Sequence, residues 1–167
     1  MAPTTSQRHS APSHMDTALE EARAAFARGE VPVGAVVVGP DGAVLARAGN
    51  RTRADFDPTA HAEILAIRAA ARTLGSERLV DCDLYVTLEP CPMCAAAISF
   101  ARIRRLYWAA GDPKSGGIEQ GPRIFSHATC HHRPELYPGI GEAVSADLLK
   151  QFFEGLRAPK PSSSRNS

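Results

Sequence analysis

The chain has 167 residues, 44% of them hydrophobic and 22% charged, with a formal net charge of +1. Length and balance fit one globular domain that buries its core without disulfides, and they argue against disorder. No apolar run approaches the ~20 residues of a membrane-spanning helix, and the near-neutral total neither demands nor forbids a nucleic-acid partner.

Residues 1–14 are polar, Ser- and Pro-bearing and free of acids. Such a start faintly resembles an organelle transit peptide, but a frayed tail is the simpler reading. Residues 158–167, ending in PKPSSSRNS, are too polar to dock, so two flexible tails are expected around a domain of residues 15–157.

Within the domain, Met15 to Arg28 carries Leu19, Ala22 and Phe26 at helical spacing, with Asp16 and Thr17 as capping candidates and Gly29 as the stop. Val33 to Val38 and Ala43 to Ala48 flank the turn Gly39-Pro40-Asp41-Gly42 and read as a hairpin. Pro58 and Thr59 open a helix through Leu74, with Ile64, Leu65, Ile67 and Leu74 on its buried side and Gly75 closing it. Leu84 to Leu88 is a strand, Pro92 to Phe100 a helix and Ile103 to Ala109 a further strand. Asp112 to Gly121 is glycine-rich and irregular. Glu142 to Arg157 bears the stripe Val144, Leu148, Leu149, Phe152 and Leu156 and closes the chain as a helix. Strand–helix–strand crossovers after a hairpin predict an α/β sandwich with helices on both faces of one sheet.

Four cysteines are present, and no apolar secretory segment is seen at the N-terminus, so a reducing, cytoplasmic setting is expected. There a close cysteine pair reads as metal-binding or redox-active. Pro92 suits a first helical turn, which sets Cys91 and Cys94 together at a helix start, where the dipole favours the thiolate. A redox pair and a structural zinc knuckle are the rivals; the knuckle would need a second pair, which Cys82 is awkwardly placed to help supply. His61 and Glu63 diverge by about 200° on a regular helix, so they converge only if the metal sits near that helix's start. Three ligands, His61, Cys91 and Cys94, would leave a fourth tetrahedral position for water. A zinc ion would bring the pKa of that water toward ~7, with Glu63 as unbound acid and base.

The segments Glu30-Val31-Pro32-Val33-Gly34-Ala35, Thr59-Ala60-His61-Ala62-Glu63-Ile64 and Tyr85-Val86-Thr87-Leu88-Glu89-Pro90-Cys91-Pro92-Met93-Cys94 resemble the bacterial tRNA-specific adenosine deaminases, in the cytidine deaminase-like superfamily. The likeness runs from about residue 16 to 157. It implies a cytidine deaminase-like three-layer sandwich with a five-stranded mixed sheet, a homodimer, Zn2+, and conversion of adenosine to inosine at the wobble position of a tRNA anticodon loop. The zinc ligands and Glu63 carry over directly. Asn50 matches a substrate-binding asparagine, although spacing alone reads it as a turn residue. Val33 and Ala62 match positions packed around the flipped base, and Asp112 and Lys114 a loop beside the ribose and backbone. Phe152 and Phe153 resemble an aromatic pair that holds RNA, with a plain core role the even alternative. Riboflavin-type deaminases would carry a longer insertion between the cysteines, and free-cytidine deaminases usually place Cys where His61 stands.

The departures follow Gly117, and they bear on substrate choice rather than chemistry. Cys130, His131 and His132 could suggest a second metal site, but a hydrogen-bonded loop is the commoner meaning. Arg51, Arg53, Lys114, Arg123, Arg133, Lys150 and Arg157 are candidates for a basic rim tracking phosphates. Arg102, Arg104 and Arg105 are the densest run, yet they flank a strand and could simply cover a sheet end or a dimer contact. Two other readings stand beside the tRNA enzyme. One is a deaminase of free cytosine, guanine or adenosine; the other is an inactive zinc-stabilised binding module, against which Glu63 argues.

Overall fold

The structure, a computed structural model, describes residues 13–159. Helix α1 (His14–Ala27) starts earlier than its apolar spacing suggests, because Ser13 is the cap. The Ser13 hydroxyl accepts the Asp16 N–H at 3.1 Å and the Asp16 carboxylate accepts the Ser13 N–H at 3.0 Å, a reciprocal capping box. Asp16 is thus the third helical residue, and Thr17 is not a cap. The helix begins inside the stretch expected as a tail; of the tails expected at residues 1–14 and 158–167, residues 1–12 and 160–167 lie outside the described residues.

Strands β1 (Gly34–Val38) and β2 (Val44–Gly49) form the expected hairpin. Helix α2 (Ala62–Leu74) opens four residues later than Pro58. The Asp57 carboxylate accepts the Thr59 N–H at 2.8 Å, and the Ala60 N–H donates to the Asp57 carbonyl, so a local turn takes those residues first. Leu74, expected on the buried side of α2, is exposed at the last turn. Strand β3 (Asp83–Leu88), helix α3 (Pro92–Phe100) and strand β4 (Arg105–Ala110) follow. The last begins two residues after Ile103, since Arg102 turns the chain with a positive φ of 61°.

Strand β5 (Glu135–Pro138) was invisible to apolar periodicity, being four exposed residues ending in proline, although a five-stranded sheet was expected from the resemblance. Helix α4 (Glu142–Arg157) matches its expected span, but its stripe does not all face inward: Phe152 is buried while Val144 and Leu156 are exposed.

The sheet order is β2-β1-β3-β4-β5, with β1 antiparallel to β2 and β3, and β3, β4 and β5 parallel. One core lies under α2 and α3, around Ala66, Leu84, Val86, Ile98 and Trp108. A smaller core lies under α1 and α4, around Met15, Leu19, Val36 and Ala109. Gly34 permits the close approach of β1 to α1, for a Cβ there would overlap the Ala18 carbonyl oxygen. Tyr85, Tyr107 and Tyr137 sit opposite one another on β3, β4 and β5 and stack at 4.3 and 4.7 Å between ring centroids.

Candidate metal centre

Two helix starts converge beyond the end of β3. His61 is the N-cap of α2 (φ −72°, ψ 152°) and Cys91 the N-cap of α3 (φ −69°, ψ 170°), and neither side chain caps its own helix. Both side chains are therefore free to face across the gap between the helices. This resolves the angular difficulty of His61 and Glu63: the former stands before the helix in extended backbone, the latter inside it. Pro92 takes the first helical position of α3, where no N–H is missed, and Cys94 follows on the same side.

The ligand atoms of His61, Cys91 and Cys94 lie within 4.8 Å of one another. His61 Nδ1 is 3.6 Å from Cys91 Sγ and 3.5 Å from Cys94 Sγ. The Cys94 thiol donates to Glu63 Oε2 at 3.5 Å. The donor set fits zinc, with two soft sulfurs and one imidazole nitrogen leaving a fourth position open. Cys94 is fully buried and Glu63 nearly so, with Cys91 and His61 half-buried at the mouth.

The charges are strongly coupled. The Cys91 thiol is held down to about 4, first by the hydrogen bond from Cys94 and then by that from His61. Cys94 is pushed up because its proton is shared with the Cys91 thiolate, with burial adding to this. The hydrogen bond to Cys91 raises His61, and burial raises Glu63 to about 6. A buried carboxyl poised near neutrality can both take and give a proton.

Asn50 follows β2, and its Oδ1 accepts the Ala62 N–H at 2.9 Å between His61 and Glu63. It is therefore a clamp on the α2 start, and its Nδ2 donates to no protein group among the described residues. Val33 and Ala62 are buried in the core that backs the site. Asp112 is half-buried, and its Oδ1 accepts the Lys114 and Ser115 N–H groups at 3.1 and 3.0 Å, shaping its own loop. Lys114 is exposed. Phe152 packs edge-on against Phe26 at 5.7 Å, with Phe153 beside it, in the α1/α4 layer rather than the α2/α3 layer of the cluster.

Cys130, His131 and His132 lie in an irregular segment, which hydrogen bonds at Cys130 and His132 hold in place. Ser99 donates to the His132 carbonyl at 2.7 Å, and His132 Nε2 donates to the Ile103 carbonyl at 2.6 Å. Among the described residues, His61, Cys91 and Cys94 are the group disposed for a metal. Arg104 pairs with Asp83 at 2.9 Å and Arg105 with Glu135 at 3.1 Å, at the starts of β3, β4 and β5. They cover the sheet end away from the cluster. Of the candidate rim, Arg51 pairs with Asp55, and Arg53 and Arg123 donate to nearby carbonyls.

Two buried carboxylates, Glu30 and Glu89, carry no signal in the sequence pattern. Glu30 accepts the Arg53 and Ala54 N–H groups at 3.0 and 2.8 Å, and Glu89 accepts four backbone N–H groups of the 112–120 loop. Glu30 also accepts the Thr52 hydroxyl at 3.3 Å; the other partners of both are backbone groups, which leave no side-chain pattern to read.

Residues 8–110 match the family model described as the cytidine and deoxycytidylate deaminase zinc-binding region. The chain is 62% identical over 143 residues to the tRNA-specific adenosine deaminase of Agrobacterium fabrum, covering 86% of this chain and 93% of that one. A solved structure from work on A-to-I editing by tRNA:A34 deaminases at the wobble position of transfer RNA superposes with a TM-score of 0.80 at 62% identity, covering 81% of this chain and 98% of the other. A guanine deaminase from Nitrosomonas europaea has a TM-score of 0.72 at 24% identity over 83% of this chain and 82% of its own, a likeness of fold alone.

Proposed function

The chain belongs to the tRNA-specific adenosine deaminases of the cytidine and deoxycytidylate deaminase family, and from that premise we infer that it hydrolyses wobble adenosine in tRNA to inosine, releasing ammonia. One observation carries the reading: a buried carboxyl, Glu63, packed against a three-ligand cluster that fits zinc. A purely structural metal site has no use for that carboxyl.

His61, Cys91 and Cys94 would hold the ion. When bound, zinc acts as a Lewis acid and lowers the pKa of a coordinated water toward ~7. Glu63 accepts one proton of the attacking water and delivers it to the ring nitrogen beside C6, then takes the second from the added hydroxyl and passes it to the departing amine. The water oxygen becomes the inosine carbonyl, and the C6–N bond breaks to give ammonia. Asn50 offers its free Nδ2 to the base while its oxygen secures α2, and Val33 and Ala62 wall the pocket. Asp112 and Lys114 meet the ribose and backbone of the nucleotide, and Phe152 and Phe153 support the RNA beyond.

We read the assembly as a homodimer, as the resemblance implies; Phe100, 78% exposed at the end of α3, supports a covered face there. A tRNA substrate fits a cytoplasmic enzyme, and no described helix is long and apolar enough to cross a membrane. The test is to incubate the zinc-loaded protein with an anticodon stem-loop bearing wobble adenosine, and separately with cytosine, guanine and adenosine. Inosine should form in the stem-loop; ammonia from the small molecules alone would overturn the reading.

A further inference from the structure

Glu89 directly precedes Pro90 and Cys91, and it is 2% exposed with no cation paired to it among the described residues. A buried carboxylate without a cationic partner needs several donors. Here all of them are backbone groups from one loop. Glu89 Oε1 accepts the Asp112 N–H at 3.3 Å, and Oε2 accepts the Ile118, Glu119 and Gln120 N–H groups at 3.2 Å each.

The loop is moulded onto this carboxylate. A Cβ on Gly116 would overlap Glu89 Oε2 and stand 2.6 Å from the Asp112 carbonyl oxygen. The Gly117 N–H donates to the Pro90 carbonyl at 2.8 Å, and a Cβ on Gly117 would lie 2.6 Å from Pro92 N. The same few residues that carry the two thiols therefore also hold both ends of the segment bearing Asp112 and Lys114.

We propose that Glu89 is a positioning residue for the substrate, its buried carboxylate fixing the 112–120 loop against the Cys91 turn so that Asp112 and Lys114 are set in register with the metal cluster. The proposal rests on the reading of Asp112 and Lys114 as nucleotide contacts. Glu89 is not a member of the metal cluster; it acts through the loop.

The test uses the full, zinc-loaded chain with the anticodon stem-loop. Glu89→Gln sets a carboxamide N–H against a ring of donors, and Gly116→Ala presses a methyl into the same carboxylate from the loop side without touching either cysteine. Both should raise KM about tenfold or more, with kcat within about twofold of wild type and zinc content unchanged. Glu89→Asp, which keeps the charge, should show a smaller rise in KM than Glu89→Gln. Amide exchange gives a readout that needs no turnover: residues 118–120 should lose protection in both variants while α3 keeps its own. Unchanged KM with unchanged exchange at 118–120 would overturn the proposal. So would a fall in kcat alone, or loss of zinc from both variants. If the wild type leaves the stem-loop untouched, the functional reading fails by itself, and exchange at 118–120 still decides whether Glu89 holds the loop. Should Glu89→Gln not fold, Gly116→Ala decides alone.

Discussion

The carboxamide oxygen of Asn50 accepts the Ala62 N–H at 2.9 Å, tying the end of β2 to the first turn of α2. The tie falls between the residue offered as ligand and the residue offered as proton carrier. Asn50→Ala orphans a buried helix N–H and should destabilise the fold by about 1–2 kcal/mol, measured by denaturant unfolding. Asn50→Asp keeps the oxygen and removes the free amide, so it should stay folded yet bind the anticodon stem-loop more weakly. Equal stability of the Ala and Asp variants would remove the clamp.

Glu63→Gln keeps the shape of the buried side chain and abolishes its basicity. Turnover should fall by about 10²–10⁴-fold while zinc analysis gives the wild-type content. A variant with near-normal turnover would end the proton-carrier role.

Chelation of the metal should abolish turnover and lower the thermal midpoint together, because an ion bound only by the folded state stabilises it. Cys91→Ser replaces a soft ligand with a hard one and should reproduce both effects in the absence of chelator. Persistence of turnover in exhaustively chelated protein would exclude the metal chemistry.

The capping box gives a pH signature away from the site. The Ser13 hydroxyl and backbone N–H hold the Asp16 carboxyl below its ordinary 3.8 in the folded state. Its contribution is therefore fully present above 3.8 and is lost as the pH falls through the folded value. Asp16→Asn should melt earlier than wild type at neutral pH, with the gap closing below 3.8. A gap that stays constant into acid would show that the carboxylate plays no part in the cap.

The sequence discloses what is written in residue type and short spacing. Cys91, Pro92 and Cys94 announce a helix start with two thiols, and the α3 and α4 spans follow from their boundary residues. His61 was legible as a partner of that pair, but its place before the helix depended on a turn at Asp57 that outcompetes helix at Pro58 and Thr59. Strand β5 carries no apolar pattern, because its pairing with β4 comes from backbone register. Glu89 and, but for the Thr52 hydroxyl, Glu30 are hidden for a related reason: their partners are peptide groups, identical at every position of the chain.

The tyrosine ladder has a practical corollary. The chain's 3 tyrosines and 1 tryptophan are Tyr85, Tyr107, Tyr137 and Trp108, and all stand on β3, β4 and β5, with the indole in the interior. None is a member of the metal cluster. Intrinsic ultraviolet emission and near-ultraviolet dichroism from these chromophores therefore report the integrity of the sheet. They serve as an internal control that separates a disarmed site from a collapsed scaffold.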